Sequence, residues 1–573
     1  MDTRDRPWLA AYPKDVPTSI EPVPSENAYS LLAGAASRHP DRPAIAWFGR
    51  HLSYRALEAE TARFAGVLSS HGIGPRDRVS LILPNCPQYV IAYYATLRIG
   101  AVVVGNNPLY TVRELAHQLA DAGPSIVVVL DSLYPSLEAV RQEVALPTVI
   151  VTRITDYMGF PKRQLAPLKL KKEATAGGHP WPPVPRDADV TWWARAMKAA
   201  PEPPPVAAVD AARDPAAFVY TGGTTGVAKG AMLSHRNILA NAMQCGAWFT
   251  GTEDGAESIM CVLPFFHCYC ATVGLHLGIL MAAKLVLLPR FELEGLLKEI
   301  EKERPTLFPG VPRLYIAINE ATTVGHHDLS SIKYCLSGAG ALPLAVAQRF
   351  RALTGATLVE GYGLTEASPV AIANPLDGSA REGCIGIPVP DTDAKLVDLA
   401  DPTRSVATGE QGELCIRGPQ VMIGYWNRAD ETADVIRDGW LHTGDIAVME
   451  SDGFFRIVDR LKDMIKVSGF NVYPTEVEQV LYRHPDVLKA CVIGIPDGQG
   501  GEMVKAFIVL RPGSSATTAE IGAWCRDPST GLAGFRVPKA IEFRGELPET
   551  LVGKVLRRVL VEEERRRAAS PAS

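Results

Sequence analysis

The sequence carries little net charge and no unbroken apolar run of the length that crosses a membrane. Its 58 basic and 63 acidic side chains give a formal net charge of −5, which provides no overall attraction to nucleic acid or to anionic lipid. The longest apolar stretches are Tyr89–Gly105, which contains Arg98, and Ala271–Pro289, which contains His276 and Lys284. We therefore expect both stretches to be buried core elements, and we expect no nucleic acid partner.

Cysteine is scarce, and its spacing does not suggest a disulfide framework. Ten cysteines are scattered over 573 residues, a usage that fits a reducing compartment better than secretion. Residues 1–15 mix charges with prolines and lack the apolar block of a secretory signal. These features predict a cytoplasmic protein.

The length and the apolar pattern indicate more than one domain. At 573 residues the chain exceeds what one hydrophobic core serves. Over roughly the first 450 residues, strand-like apolar runs alternate with helical patterns, which is typical of largely parallel sheets with helices on their faces. These runs are Val79–Leu83, Ile126–Leu130, Thr148–Thr152, Lys284–Leu288 and Leu358–Glu360. The predicted fold class is α/β, with a large N-terminal domain of mainly parallel sheets flanked by helices.

Beyond residue 459 the pattern is that of a second, smaller domain. Thr475 and Glu478 have the spacing of a capping box that opens a helix. Strand-like runs follow at Val487–Ile495 and Met503–Leu510, which predicts a compact α+β unit. The predicted domains are residues 1–459 and 460–573, with a hinge near Lys462.

A basic and proline-rich segment, about residues 156–205, interrupts the large domain. It contains five basic residues interleaved with proline and leucine, namely Lys162, Arg163, Lys169, Lys171 and Lys172. Such a strip can lie on a membrane surface. An ordinary solvated insertion loop explains it equally well, and both interpretations stay open.

A loop rich in glycine and threonine, Tyr220–Gly230, has the composition of a phosphate-binding site. Its glycines allow backbone N–H groups to converge on an anion, and its threonines add hydroxyl donors. The loop follows an apolar run, Ala216–Tyr220, that is typical of a buried strand. It differs from the P-loop of the common NTPases, because Ala228 rather than glycine precedes Lys229. Taken alone, it is also compatible with a flexible turn.

Four further motifs lie downstream of this loop. They are Gly361–Glu366, Gly439–Asp445, Asp459–Lys466 and Pro548–Lys554. The aromatic ring in the first can stack on a nucleotide base, and its carboxylate can hold Mg²⁺ against phosphates. The carboxylate in the second suits a ribose diol, and the last motif places one lysine after a glycine turn.

In this order and approximate spacing, the five motifs resemble those of the adenylate-forming superfamily, which comprises acyl-CoA synthetases, peptide-synthetase adenylation domains and beetle luciferases. The resemblance covers nearly the whole chain. It implies that the protein is an enzyme that uses ATP with Mg²⁺ to form an acyl adenylate, with coenzyme A as the second substrate. It also implies a small C-terminal domain that rotates between the two half-reactions.

The resemblance implies a role for each motif residue. The β- and γ-phosphates would be held by Thr221, Gly222, Gly223, Thr224, Thr225, Gly226 and Lys229. The adenine pocket would be formed by Gly338, Ala339, Gly340, Glu360, Gly361 and Tyr362, with Gly363 also binding the nucleotide. Thr365 would contact the α-phosphate, Glu366 and Thr221 would ligate Mg²⁺, and Asp445 and Arg460 would hold the ribose hydroxyls.

The small domain would supply a different lysine to each half-reaction. Lys554 would bridge the substrate carboxylate and the α-phosphate during adenylation. Lys462 matches the hinge position, and the thioester half-reaction with coenzyme A would use Lys466, Ser468, Gly469 and Phe470. Two chemical steps need two sets of groups around one intermediate, so a hinge motion is also reasonable on general grounds.

His267 lies in a segment that resembles the part of the family beside the acyl pocket. A gate or a neighbour of the substrate carboxylate is one role for it, and a packed core histidine is another. Cys268 and Cys270 suggest a metal site, but no fourth ligand has a recognisable spacing, which disfavours zinc.

The substrate is the least determined part of the sequence interpretation. Asp156–Lys172 and Phe308–Tyr315 resemble stretches of bacterial long-chain fatty acyl ligases, which favours a medium-to-long fatty acid. An aryl or branched acid, transfer to a carrier protein instead of coenzyme A, and an inactive binding or scaffold protein are the alternatives. A peripheral contact with the inner membrane face and a homodimer also stay open.

Overall fold

The computed structural model describes residues 6–146, 148–176, 184, 189–221, 228–467, 470–497, 501–530, 532, 534–549 and 555–569, without the side chains of residues 173–176, 568 and 569. All elements and contacts below refer to these residues.

Helices and strands alternate along most of the described chain. The helices are α1 Ser30–Arg38, α2 Tyr54–Ser70, α3 Pro87–Arg98, α4 Val112–Ala122, α5 Tyr134–Arg141, α6 Lys162–Ala176, α7 Trp193–Lys198, α8 His235–Trp248, α9 Cys268–Cys270, α10 Leu277–Leu280, α11 Leu293–Glu303, α12 Pro312–Glu320, α13 Leu344–Thr354, α14 Ala429–Val435, α15 Pro474–Tyr482, α16 Thr518–Arg526 and α17 Arg557–Ala569.

The strands are β1 Pro43–Trp47, β2 Arg50–Ser53, β3 Arg78–Ile82, β4 Val102–Gly105, β5 Ile126–Leu130, β6 Val149–Thr152, β7 Val190–Trp192, β8 Pro215–Thr221, β9 Lys229–Ser234, β10 Ser258–Cys261, β11 Lys284–Leu287, β12 Tyr334–Ser337, β13 Thr357–Gly363, β14 Val370–Ala373, β15 Ile387–Pro388, β16 Asp393–Val397, β17 Gln411–Arg417, β18 Gly424–Tyr425, β19 Ile436–Arg437, β20 Trp440–Met449, β21 Phe455–Arg460, β22 Ile465–Val467, β23 Phe470–Val472, β24 Val487–Pro496, β25 Glu502–Leu510 and β26 Ala540–Phe543.

A largely parallel sheet and a mixed sheet form the centre of the large N-terminal part. The first has the strand order β18-β9-β8-β4-β3-β5-β6-β7, and its pairs from β8 to β7 are parallel. In the second, β10-β11-β1-β2 and β12-β13-β14-β15 are joined by parallel bridges at Leu307 and Gly310. Every residue of Ile126–Leu130 is buried, as expected when helices cover both faces of a parallel strand. The predicted fold class is confirmed.

The apolar stretches expected to be core elements are buried. Tyr89–Gly105 forms most of α3 and all of β4, with Tyr89 and Tyr94 among the largest fully buried side chains. In the described part of the chain, no helix combines the length and the apolar character that a membrane span requires. Part of the segment predicted as an insertion, residues 156–205, belongs to the core, since Val190–Trp192 pairs with β6 and Trp193 is buried.

A third, antiparallel sheet follows these two sheets. Its strands are ordered β16-β17-β20-β19, and β21 pairs with β20. The β20–β21 register places Asp445 opposite Arg460. This hairpin therefore brings together two residues that the sequence assigns to one ribose site.

The C-terminal part has its own buried clusters. One cluster includes Ile465, Val477, Leu481, Val492 and Ile508, and a second packs β24 and β25 against α17. The predicted strands correspond to β24 and β25, which pair antiparallel. The predicted domain boundary at residues 459 and 460, with its hinge at Lys462, stays a prediction.

The predicted capping box at Thr475 and Glu478 is wrong. Helix α15 begins at Pro474, whose fixed φ suits the first helical position. The Thr475 N–H donates instead to Asp459 Oδ2 at 2.7 Å. Both oxygens of Glu478 accept from Arg557 Nη2, at 2.8 and 2.7 Å. Thr475 is thus the second residue of the helix and not its N-cap. Glu478 therefore pairs with Arg557 and also accepts from the Val492 N–H at 2.8 Å.

Candidate active site

The predicted adenine-binding residues follow two adjacent strands at the same edge of a sheet. β12 and β13 are parallel, with Ser337 opposite Glu360. Gly338, Ala339 and Gly340 come directly after β12, and Gly361–Glu366 includes the end of β13. In open α/β sheets, ligands bind in the crevice outside the carboxyl ends of such strands. The fold therefore brings these two motifs side by side.

Close backbone approach requires glycine at two positions of this edge. A Cβ atom on Gly361 would lie 2.9 Å from the Leu336 side chain, and one on Gly363 would lie 2.2 Å from the Pro369 carbonyl oxygen. Both distances are too short for a carbon contact. These glycines allow β13 to pack against its neighbours while its end stays open to a ligand.

Glu360 is a half-buried carboxyl group beside the predicted adenine pocket. Its Oε2 accepts from the Leu342 N–H at 3.3 Å. Burial raises the pKa of the Glu360 carboxyl to about 7, although this hydrogen bond favours the ionised form. The Glu360 carboxyl group therefore keeps its proton to a higher pH than an ordinary glutamate does.

We predict that Glu360→Gln reduces the loss of stability as the pH rises. The unfolded carboxyl ionises near its ordinary pKa of 4.5, whereas the folded one ionises near about 7. The stability that the Glu360 carboxyl contributes is fully present below the unfolded-state pKa and is lost as the pH rises through the folded-state pKa. Relative to the glutamine variant, the wild type should lose up to about 3 kcal/mol of unfolding free energy across this window. Chemical denaturation of both proteins at a series of pH values measures this difference, and parallel pH curves would contradict it.

Asp445 connects the predicted base-stacking tyrosine to the predicted ribose arginine. The Tyr362 hydroxyl donates to Asp445 Oδ2 at 2.6 Å, and Arg460 Nε lies 3.1 Å from Asp445 Oδ1. Burial lowers the pKa of Arg460, but Asp445 and other anionic groups more than offset this effect and leave that pKa above its ordinary value. Asp445 is itself buried. The carboxylate is thus fixed at both oxygens, which gives it one orientation toward a ligand.

Glu366 lies on a short 3₁₀ turn, Thr365–Ala367, just after β13. The Met422 N–H donates to the Glu366 carbonyl at 2.8 Å. The Tyr425 hydroxyl donates to Glu366 Oε1 at 2.6 Å. Lys229 Nζ lies 5.2 Å from the centre of the same tyrosine ring and 3.9 Å from Glu431 Oε1. One tyrosine therefore contacts both the predicted metal-binding carboxylate and the predicted phosphate-binding lysine.

We predict that Tyr425→Phe raises the Mg²⁺ concentration needed for activity. The variant loses a hydrogen bond to an ionised group, and such bonds contribute about 1.5 to 3 kcal/mol. An increase of about tenfold in the Mg²⁺ concentration for half-maximal pyrophosphate exchange follows from the lower end of that range. Tyr12→Phe is the matched control, since it also removes one hydroxyl donor (to the Pro388 carbonyl, 2.6 Å) at a place outside the site. An identical Mg²⁺ dependence in both variants would contradict the assignment.

A buried polar cluster fixes the turn that carries Asp445. His442 Nδ1 lies 2.8 Å from Glu413 Oε2 and 3.4 Å from Cys415 Sγ. The Gly444 N–H donates to Glu413 Oε1 at 3.1 Å. Among the described residues, Glu413, Cys415 and His442 form the one group with metal-binding spacing. Cys268 and Cys270 belong to no such group. The contacts of the three grouped side chains with each other and with the Gly444 N–H account for them as a support for the turn that carries Asp445.

The predicted phosphate-binding loop, the glycine- and threonine-rich stretch Tyr220–Gly230, connects two antiparallel strands. β8 and β9 form a hairpin in which Thr221 lies opposite Lys229, and the predicted strand Ala216–Tyr220 lies within β8. The Tyr220 hydroxyl donates to Asp121 Oδ2 at 2.7 Å, and Arg428 Nη2 lies 3.2 Å from Asp121 Oδ1. The base of the loop is thereby anchored to α4. Gly222, Gly223, Thr224, Thr225 and Gly226 lie outside the described residues.

His267 lies next to a residue that contacts Thr365. Its Nδ1 accepts from the Tyr269 N–H at 3.3 Å, at the start of α9. Cys268 Sγ lies 3.3 Å from Thr365 Oγ1. Because Thr365 is the residue predicted to contact the α-phosphate, this contact places the His267 segment along the same crevice.

The predicted hinge directly follows the β20–β21 hairpin, which carries Asp445 and Arg460. Lys462 is in the 3₁₀ turn Leu461–Asp463, directly after β21. Partial burial and the positive charge of Arg460 lower the pKa of Lys462. Lys466 and Phe470 lie on the β22–β23 hairpin, and both are exposed. Ser468 and Gly469 are outside the described residues.

Ion pairs hold the chain on both sides of Lys554, which is itself outside the described residues. On one side, Glu549 Oε2 lies 3.1 Å from Arg313 Nη1 at the start of α12, and Glu549 Oε1 lies 2.5 Å from Lys489 Nζ. On the other side, Arg557 lies 3.3 Å from Asp463 Oδ2 and 2.7 Å from Glu478 Oε2. The described residues Glu549 and Arg557 are thus paired with Arg313 in the N-terminal part and with Asp463 in the turn that follows β21.

Sequence reasoning missed the residues that support the motifs. Tyr425, Glu413, His442, Arg313 and Glu549 were not among the predicted site residues. Tyr425 follows Gly424 in a short aromatic stretch, and His442 lies within a recognised motif, so both carried weak signals. Arg313 and Glu549 are 236 residues apart in sequence, and nothing local indicates that they meet.

Comparisons with known proteins agree with this geometry. A family model described as "AMP-binding enzyme" matches residues 32–426, and one described as "AMP-binding enzyme C-terminal domain" matches residues 476–554. A long-chain-fatty-acid–CoA ligase of Bacillus subtilis (strain 168) is 45% identical over 561 residues, covering 98% of each chain. One of Escherichia coli O157:H7 is 42% identical over 566 residues, covering 97% of this chain and 98% of the relative.

The fold has close counterparts among solved structures. The crystal structure of the anthranilate CoA ligase AuaEII in complex with anthranoyl-AMP superposes with a TM-score of 0.83 at 26% sequence identity. The match covers 96% of this chain and 99% of that one. The likeness thus extends over both the N-terminal and the C-terminal parts.

Proposed function

The chain belongs to the AMP-binding enzymes, and from this we propose that it joins a medium-to-long-chain fatty acid to coenzyme A through an acyl adenylate. The predicted superfamily is thereby confirmed. The protein is an AMP-forming acyl-CoA synthetase that uses ATP and coenzyme A. The observation that carries the substrate class is the identity with long-chain-fatty-acid–CoA ligases over nearly the full chain.

The donor groups near Glu366 fit Mg²⁺. Magnesium prefers hard oxygen ligands and is bound in nucleotide sites by one or two carboxylates together with phosphates. Glu366 is a half-buried carboxylate with Oε1 oriented by Tyr425, and Thr221 at the end of β8 supplies a hydroxyl. When bound there, the ion would neutralise charge on the phosphates. We propose Glu366 and Thr221 as its protein ligands.

Adenylation brings two anions together, so positioning and charge neutralisation make up most of the barrier. We propose that Lys229 neutralises the leaving phosphates and that Lys554 neutralises the attacking carboxylate. Asp445 accepts from the ribose hydroxyls, and its contacts with Tyr362 and Arg460 keep it from rotating. Thr365 donates to the α-phosphate from the start of its 3₁₀ turn.

The thioester step needs a different set of groups around the same intermediate. We propose that residues 460–573 rotate about Lys462 and that Lys466, Ser468, Gly469 and Phe470 then meet coenzyme A. Support comes from the ion pair between Arg313 and Glu549, because it joins the C-terminal part to the N-terminal part through two surface side chains that can separate. Lys466 and Phe470 are exposed on the β22–β23 hairpin, so both side chains are available to a ligand.

A panel of acids in a pyrophosphate-release assay tests the substrate proposal. Full activity with palmitate and thioester formation that depends on coenzyme A are the expected results. Activity with benzoates and none with palmitate would favour the aryl rival. An adenylate that coenzyme A does not discharge would favour transfer to a carrier protein. A homodimer and peripheral attachment at a membrane stay predictions, and a substrate that partitions into lipid supports the second of them.

A further inference from the structure

Helix α6 is apolar on two opposite sides, and one of these sides faces solvent. Ala166 and Leu170, four residues apart, are half-buried, and Ala166 packs against the main core. Leu165 and Leu168 point the other way, with 58% and 67% of their surface exposed. Just before the helix, Phe160 is 87% exposed. Exposed apolar side chains that cluster in this way mark interaction sites.

Basic side chains surround the exposed leucines. Successive residues of a helix are rotated by about 100° around its axis. Lys172 therefore lies on the same side of α6 as Leu165 and Leu168, and Lys169 and Lys171 lie on either edge of that side. All three lysines are exposed. Helix α6, Lys162–Ala176, contains five basic residues and one acidic residue, Glu173, in a chain whose net charge is −5. The positive charge of this helix is therefore a local feature that opposes the overall charge.

The helix is fixed to the body of the protein in a way that presents this side outward. Lys162 Nζ donates to the Phe48 carbonyl at 2.9 Å, at the turn between β1 and β2. The Phe48 side chain is 36% exposed beside that turn. Anchored at its first turn and along Ala166 and Leu170, α6 has its leucine-bearing side turned away from the core.

We propose that the outward side of α6, formed by Phe160, Leu165, Leu168, Lys169 and Lys172, docks the protein on an anionic lipid bilayer. An interfacial helix combines an apolar strip that enters the acyl boundary with lysines that reach the headgroups. Nucleic acid would use the lysines but would leave the aliphatic side chains in water. The inference rests on the proposed fatty acid substrate, which partitions into bilayers, so docking would place the enzyme where that substrate accumulates.

Sedimentation with vesicles tests the proposal on the full chain. The wild type should bind vesicles that mix phosphatidylglycerol with phosphatidylcholine and should not bind pure phosphatidylcholine. Leu165→Gln with Leu168→Gln should weaken binding about tenfold or more, because each buried methylene contributes to membrane affinity. Lys172→Gln should weaken it about fivefold at low salt. Leu353→Gln, which replaces an exposed leucine on α13, is the matched control and should bind like the wild type.

The result that would overturn the proposal is wild-type binding to neither vesicle, or binding that the double leucine substitution leaves unchanged. Binding to RNA or to an acidic protein in place of vesicles would overturn it as well.

Pyrophosphate exchange with a soluble medium-chain fatty acid, in the absence of vesicles, shows whether each variant is folded and whether the proposed function holds. All variants should retain it, because the substitutions lie on the surface. Exchange without vesicle binding refutes the docking surface alone, and vesicle binding without exchange refutes the proposed function alone.

Discussion

Replacing Lys554 with alanine is expected to abolish adenylate formation while sparing thioester formation from supplied acyl-AMP. A lysine at the point where carboxylate meets α-phosphate stabilises charge in the transition state, and removing one such group costs about a hundredfold or more in rate. Exchange of labelled pyrophosphate into ATP measures the first half-reaction. Conversion of synthetic acyl-AMP to acyl-CoA measures the second.

The contacts around Lys554 explain why this loss should be confined to one step. Glu549 before it contacts Arg313 and Lys489, and Arg557 after it contacts Glu478 and Asp463. None of these pairs involves the Lys554 side chain. Alanine should therefore remove one charge and leave these ion pairs intact.

Lys466→Ala is the matched control for Lys554→Ala. It replaces an exposed lysine on the β22–β23 hairpin of the same C-terminal part. We expect it to retain pyrophosphate exchange and to lose thioester formation. If both alanine variants lost the same half-reaction, one arrangement of the small domain would serve both steps, and the proposed rotation about Lys462 would be refuted.

Replacing Glu366 with glutamine is expected to lower pyrophosphate exchange about a hundredfold, an effect of the size seen when one group that stabilises transition-state charge is removed. Glutamine keeps the shape of the side chain, and its amide oxygen can still accept from the Tyr425 hydroxyl, so the turn should stay folded. What the variant loses is the negative charge that we assign to Mg²⁺ binding.

Metal binding measured directly separates this role from a structural one. Binding of Mn²⁺ to the complex with ATP, followed by electron paramagnetic resonance, should weaken in Glu366→Gln. Glu382→Gln, which neutralises an exposed carboxylate outside the site, should leave both binding and exchange unchanged. Undiminished Mn²⁺ binding in Glu366→Gln would remove Glu366 from the metal site.

Features that depend on a few neighbouring residues were predictable from the sequence. Ile126–Leu130 is a strand at the predicted bounds, because a short apolar run between polar segments has few other conformations that bury it. The β8 strand before the glycine-rich loop was predicted for the same reason. The capping box at Thr475 was wrong because the helix begins at Pro474, and local spacing carries no information about Arg557, the distant partner of Glu478.

By itself, the sequence determined the superfamily and the class of enzyme, and it predicted a glycine- and threonine-rich loop for phosphates, a carboxylate for a diol and single lysines after tight turns. It did so because turn conformation and donor groups are properties of adjacent residues. Only the tertiary structure decided which groups orient them. Tyr425 reaches Glu366 across 59 residues of chain, and Arg313 reaches Glu549 across 236. Such pairs depend on how the sheets and helices pack as a whole, which no local pattern encodes.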